Sequence, residues 1–171
     1  MAEDLERDLH HEARERAAEL HAALRARGLT LATAESLTGG GLAELVSAVP
    51  GASASYRGGM VAYASDVKVS VLGVSERTVA EHGVVSAQCA AEMAEGVRGL
   101  LGADVAVSTT GVAGPDAQED KPVGLVFLGI ADGEQTRTFE LRLDGDRAEI
   151  RRQSARRAVI AVLEVVVGRP V

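Results

Sequence analysis

The sequence predicts a single three-layer α/β/α domain around a mixed sheet, spanning residues 1–171, and three observations predict it. Short apolar runs alternate with helix-spaced segments through the first two thirds of the chain, the pattern of strands covered by helices. Two later apolar runs are separated only by "DGEQ", a hairpin signal, so part of the sheet is antiparallel. A length of 171 residues with 46% hydrophobic content supports one buried core rather than two.

In order, residues 4–27 carry Leu5, Leu9, Ala13, Ala17, Leu20 and Leu24 at helical spacing and stop at Gly28, which predicts an N-terminal helix over 1–27. "LTLATAE" at 29–35 predicts a short strand, and 39–49 a helix halted by Pro50 and Gly51. A strand follows at 56–64, whose paired glycines mark a close approach to the backbone. Ser65 and Asp66 are expected to cap a short helix carrying Lys68 and Leu72 and closed by Gly73. Ser75 and Ser86 are expected to cap the next two helices. A buried strand at 104–114 leads into a Gly/Pro loop, strands at 123–131 and 136–143 form the hairpin, and a long helix opens after Gly145 and Asp146.

Composition narrows the function classes. A net charge of −7 opposes non-specific nucleic-acid binding, which relies on neutralising phosphates. The acidic, amphipathic first residues lack the apolar region of a signal peptide, and no run approaches the ~20 residues of a membrane span, so the expectation is a cytoplasmic protein without nucleic-acid or membrane partners. The single cysteine, Cys89, permits no internal disulfide and no paired-cysteine zinc motif, and its Ala-rich surroundings suit a small buried hydrophobe.

Three stretches carry candidate chemistry. "TAESLTGGG" at 33–41 places Ser36 where a strand meets a helix, followed by Thr38, Gly39 and Gly40. Backbone N–H groups there suit a phosphate or an oxyanion, while a helix-capping serine would leave the same sequence. A serine nucleophile needs a base. His10, His11 and His21 lie on the first helix and His82 at a helix end, so no Ser-His-Asp triad is supported. Lysine can replace histidine when burial lowers its pKa, whereas arginine stays protonated. Lys68 is one of two lysines among 18 basic residues, and Tyr63 stands just before its helix, where a phenol would relay a proton or orient the amine. A surface lysine and a half-buried tyrosine are the bland alternative. "STTGVAGPDAQEDKPVG" at 108–124 offers Thr109, Thr110 and Gly111 at a strand end, then a long loop with Lys121. Arg147 and Arg151, four apart on one helix face, suit a phosphate or surface carboxylates.

Taken together, "TAESLTGG", "YRGGMVAYASDVK", "LGV", "HGVVS", "STTGVAGPD", "KPVG" and "GDRAEIR", in this order, resemble the CinA C-terminal domain family, the nicotinamide-nucleotide amidohydrolases. The resemblance implies hydrolysis of nicotinamide mononucleotide to nicotinate mononucleotide and ammonia, without metal or other cofactor, by a Ser-Tyr-Lys group falling on Ser36, Tyr63 and Lys68. Thr38, Gly39, Gly40, Thr110, Gly111 and Arg147 are the expected substrate contacts. It also makes a homo-oligomer the expected assembly. Larger family members carry a further N-terminal pyrophosphatase domain, an activity that the length of this sequence leads one to expect to be absent. Two positions depart from the family pattern. Asp66 stands where asparagine is usual, close enough in sequence to raise the Lys68 pKa, and Asp116-Ala117-Gln118 replace a glycine-rich loop. The alternatives are a non-catalytic nucleotide- or protein-binding module of the same fold, and an amidase for another carboxamide.

Overall fold

The computed structural model describes residues 2–168. The side chains of residues 2–10, with the inward face expected at Leu5 and Leu9, lie outside the described residues, as do positions 1 and 169–171. Five strands, β1 (Leu31–Glu35), β2 (Tyr56–Val61), β3 (Val105–Gly111), β4 (Leu125–Ala131) and β5 (Thr136–Arg142), form one sheet in the order β2-β1-β3-β4-β5. β1 pairs parallel with β2 and β3, while β4 and β5 are antiparallel, so the sheet is mixed as its sequence predicts. Asp132 shapes the β4–β5 turn by accepting from the N–H groups of Glu134 and Gln135.

Six helices cover the two faces: α1 (Ala2–Arg27), α2 (Gly41–Ser47), α3 (Ser65–Leu72), α4 (Glu76–His82), α5 (Ala87–Leu101) and α6 (Arg147–Val167). One apolar core joins α1, α2 and α6 to the sheet through Leu20, Leu24, Leu42, Val107, Leu128 and Val159. The other joins the α3–α5 side through Leu72, Val85, Cys89, Met93 and Val97 to Ala32, Ala34 and Ala106. Small residues on β1 let the second layer sit close. Gly59 on β2 shows what the paired glycines accommodate. A Cβ there would collide with Thr33 Oγ1 and Tyr56 Oη, which are hydrogen-bonded to each other at 2.7 Å.

Capping follows the sequence at Ser75 and Ser86, whose hydroxyls accept from Thr78 N and Cys89 N. Asp146 and Glu149 form a reciprocal capping box on α6. Two expectations are corrected. The cap of α3 is Ala64, without a side-chain bond, because Ser65 is already the first helical residue. Nor does Ser36 or Thr38 cap α2. Gly39 and Gly40 take the left-handed conformation, with φ of 57° and 101°, so the helix starts later than the sequence predicts. The carboxylate of Glu35 reaches over this turn to accept from the N–H groups of Gly40, Leu42 and Ala43 at 2.8–3.0 Å. A buried carboxylate at a helix N-terminus satisfies orphan donors that a shorter serine side chain would reach less fully.

Candidate active site

The strand order creates the site. β1 has parallel neighbours on both sides, and the chain leaves β1 toward β2 and then crosses back to β3. Connections diverge at the carboxyl ends of β1 and β3, where open α/β sheets form a ligand crevice. Ser36 follows the last residue of β1, Thr110 and Gly111 end β3, and Tyr63 lies two residues beyond β2. A cavity of about 140 Å³ occupies this crevice and is lined by Ser36, Leu37, Tyr63, Lys68, Thr110, Gly111 and Arg147, with Ser65, Asp116 and Gln118 also on its wall. Thus six residues singled out from sequence, Ser36, Tyr63, Lys68, Thr110, Gly111 and Arg147, converge on one cavity.

Lys68 is the most unusual of them. It is only 1% exposed. Its Nζ donates to the carbonyls of Ala62 and Tyr63, each at 2.9 Å, and no carboxylate pairs with it among the described residues. Burial lowers its pKa below the ordinary lysine range, an effect that Cys89 and Glu119 partly offset. A neutral amine has two N–H groups and one lone pair. The two carbonyls match the two N–H groups and leave the lone pair as the remaining tetrahedral valence.

Ser36 is tethered by its backbone N–H to the carbonyl of Thr109 at 2.9 Å. Its hydroxyl makes no hydrogen bond to the described residues, Lys68 included, and stays available at the cavity wall. The tyrosine departs from the sequence expectation. Its carbonyl, not its phenol, orients the amine. The phenol, on a residue 58% exposed, instead accepts from Arg147 Nη2 at 2.9 Å, while Arg147 Nη1 donates to the Gly114 carbonyl at 2.6 Å. Arg147 therefore joins the end of β2 to the loop after β3 across the cavity mouth. Thr110 lies on the wall, but its hydroxyl donates to the Val84 carbonyl at 2.6 Å.

Thr38, Gly39 and Gly40 do not line this cavity. The Thr38 hydroxyl is paired with that of Thr109 at 2.8 Å. The Gly39 N–H is spent on the Ser36 carbonyl, and that of Gly40 on Glu35. The N–H groups of Leu37 and Thr38, on residues 4% and 1% exposed, are the ones left without an acceptor among the described residues. Such buried unpaired donors are rare and mark a place for a ligand oxygen.

Two supporting residues escape a linear reading. Glu35 adjoins Ser36 but acts through space on α2. Arg151 sits far away in sequence, yet its Nε and Nη2 donate to the carbonyls of Leu37 and Thr38 at 3.1 and 2.9 Å. Its spacing from Arg147 was a usable signal, although its partner is backbone rather than phosphate. Lys121 likewise binds the protein, donating to the His82 carbonyl at 2.8 Å and pairing with Glu119. Glu119 in turn accepts from the N–H groups of Val84 and Val85. Asp66 is exposed and is not among the groups that shift Lys68. His21 is buried between Ser55 and the Val46 carbonyl, far from this chemistry. Among the described residues no group of three or more His, Cys, Asp or Glu is placed to hold a metal ion, and no helix is long and apolar enough to cross a membrane.

The sequence model of the CinA C-terminal domain matches residues 13–166. A CinA-like protein of Frankia casuarinae is 51% identical over 144 residues, 84% of this chain and 33% of the relative. A competence-damage inducible protein of Bacillus pumilus is 48% identical over 134 residues, 78% of this chain and 32% of the relative. The chain thus spans about a third of the length of these curated relatives. The crystal structure of a CinA superfamily protein from Klebsiella pneumoniae superposes with a TM-score of 0.89 at 37% identity, covering 91% of this chain and 98% of that one. A competence/damage inducible protein from Agrobacterium tumefaciens superposes at 0.85 with 36% identity, covering 90% and 94%. By sequence and by fold, the chain belongs to the CinA C-terminal domain family.

Proposed function

We propose that the cavity hydrolyses the carboxamide of nicotinamide mononucleotide, giving nicotinate mononucleotide and ammonia. The observation that carries this reading is Lys68: a buried lysine on the wall of the same cavity as the Ser36 hydroxyl, the lysine with no carboxylate partner and the hydroxyl with no hydrogen bond among the described residues. Buried neutral lysines serve as bases for serine in Ser-Lys hydrolases.

The Ser36 oxygen attacks the carboxamide carbon while its proton passes to the Lys68 lone pair, directly or through one water. No hydrogen bond joins the two side chains among the described residues, and catalytic contacts commonly tighten only when substrate is bound. The developing oxyanion is assigned to the unpaired N–H group of Leu37, which lines the cavity, with the unpaired N–H of Thr38 next to it in the chain, rather than to those of Gly39 and Gly40. The C–N bond breaks with protonation of the leaving nitrogen by Lys68, ammonia departs, and water attacks the acyl-serine by the reverse proton path. Tyr63 places the amine through its carbonyl, and its phenol with Arg147 borders the entering nucleotide.

Incubation of the protein with nicotinamide mononucleotide, following ammonia, tests the reading. Turnover that disappears in Ser36→Ala, with the fold retained, supports it; no ammonia from the wild-type chain ends it. A binding module is the second reading, favoured by the lack of a hydrogen bond between Ser36 and Lys68 among the described residues. Its signature is thermal stabilisation by the nucleotide without ammonia release. Because Asp116 and Gln118 face the cavity, a panel of carboxamides with and without ribose phosphate tests the identity of the substrate.

A further inference from the structure

We infer that Arg151 is a positioning residue for Ser36: it sets the peptide planes behind the serine so that their unpaired N–H groups receive the oxyanion. The inference rests on the reading of Ser36 as nucleophile, and its test is arranged to fail separately from that reading.

In a trans peptide the C=O and the following N–H point to opposite sides. The Leu37 carbonyl is turned to Arg151 Nε at 3.1 Å, so the Thr38 N–H points away from the guanidinium. The Thr38 carbonyl accepts from Nη2 at 2.9 Å and from the Gly41 N–H at 3.1 Å; the N–H across that peptide, on Gly39, donates to the Ser36 carbonyl at 3.0 Å, which turns the Leu37 N–H across the Ser36–Leu37 peptide to the opposite side. The Ser36 N–H is held by Thr109 at 2.9 Å. From Ser36 through Thr38, every backbone N–H and C=O therefore has a partner among the described residues except the N–H groups of Leu37 and Thr38. Leu37 itself lines the cavity. Arg151 is the only side chain hydrogen-bonded to the carbonyls of these two residues among the described residues.

The chemistry asks for arginine. Two adjacent carbonyls are met by the planar fork of a guanidinium, while an ammonium is a point charge that orients neither peptide plane. The turn makes room for it: a Cβ on Gly39 would stand 3.1 Å from Nη2, at a φ of +57° that side chains rarely adopt. Arg151 in turn projects from the second turn of a helix whose start is locked by the Asp146–Glu149 capping box. A positive charge beside these carbonyls also polarises the peptides, which strengthens their N–H groups as donors to an anion.

The test uses the full chain, as wild type, Arg151→Ala and Arg151→Lys, with a fluorophosphonate as probe. In that reaction the Ser36 oxygen forms a bond to phosphorus, fluoride leaves with the P–F electron pair, and the hydroxyl proton goes to Lys68. The expected result is labelling and kcat for nicotinamide mononucleotide both about 100-fold lower in Arg151→Ala, the scale of a lost oxyanion donor. KM stays within about threefold, the pH profile keeps its midpoint because Lys68 is untouched, and millimolar guanidinium restores part of the rate. Arg151→Lys, which keeps size and charge, is expected to label at least about tenfold more slowly. Should Arg151→Ala fail to fold, that lysine variant alone decides. Wild-type labelling rates in a folded Arg151→Lys protein overturn the inference while leaving the nucleophile intact. A wild-type protein inert to both fluorophosphonate and nucleotide overturns the nucleophile itself, and the inference with it.

Discussion

The chain holds two lysines in opposite surroundings. Lys68 is 1% exposed, meets two carbonyls and, among the described residues, no carboxylate, and is pushed toward the neutral amine by burial. Lys121, whose side chain is 25% exposed, pairs with the Glu119 carboxylate and the His82 carbonyl and braces the loop after β3 against the end of α4. Both stand beside the same cavity wall, one as a wall residue and one through Glu119 on the Val84–Val85 turn. Desolvation without a counter-charge moves a lysine toward the neutral amine that the proposed base requires; given a carboxylate and water, the same side chain is a strut.

The largest effect that tests this contrast is loss of the amine. Lys68→Arg retains the charge but cannot give up its proton, so turnover should fall by at least ~10³-fold with the fold retained. A near-wild-type rate in Lys68→Arg would remove the proton-abstraction role. Lys121→Met should leave kcat within a few fold, since Lys121 is not among the residues lining the cavity.

Next comes the pH dependence. If neutral Lys68 is the base, kcat/KM rises with pH through a midpoint below the ordinary lysine range, because burial lowers that pKa. Stability carries the same signature with a defined sign. Between the lowered folded pKa and the ordinary unfolded value, the unfolded chain binds a proton that the folded chain does not, so stability increases as pH rises through that window. Denaturant unfolding of the wild type and of Lys68→Met across that window should show the rise in the first and its absence in the second.

A smaller effect belongs to the brace. Burial alone would raise the Glu119 pKa, but the N–H groups of Val84 and Val85 and the Lys121 ammonium outweigh it and hold the carboxyl below its usual range. That stabilisation is complete above the unfolded glutamate pKa and is lost as pH falls through the depressed folded value. Glu119→Gln should therefore cost about 1 kcal/mol near neutral pH, less at high salt, and should lack that acid-side loss. Since Glu119 also raises the Lys68 pKa, the same variant should move the activity midpoint slightly toward lower pH, which Lys121→Met should not do directly.

Much of this arrangement was legible in the chain. Periodicity and glycine stops ordered the five strands and six α-helices, though not the short 3-10 turn at Ala52–Ala54, because each of these elements buries one face in the core and ends where that face ends. Ser36, Tyr63 and Lys68 each follow a parallel strand, so the rule that sites lie at strand carboxyl ends brings them together. The clamps were not legible. Glu35 bridges to the N–H groups of residues five to eight positions on, and Arg151 closes across 113 and 114 positions, contacts set by how α2 and α6 pack and not by spacing. The contacts of Tyr63 were not legible for a related reason: local sequence places the residue near Lys68 but does not say whether carbonyl or hydroxyl faces the amine, and it is the carbonyl that does.

The smallest predicted effect falls at Asp66, where the sequence comparison raised the most direct concern for the base. A carboxylate two residues away along the chain would hold Lys68 protonated if the two faced each other. On α3 they do not. Positions two apart point to different sides of a helix, Asp66 is exposed while Lys68 is buried, and the acidic group that does act on the amine is Glu119, from another loop. Asp66 lies in the first turn of α3, where a negative charge suits the helix dipole. Asp66→Asn should therefore leave the kcat/KM midpoint in place and change kcat less than about twofold, with at most a few tenths of a kcal/mol lost in stability. A downward move of the midpoint as large as that in Glu119→Gln would mean that the carboxylate of Asp66 does reach the amine, and the contrast between the two lysines would narrow accordingly.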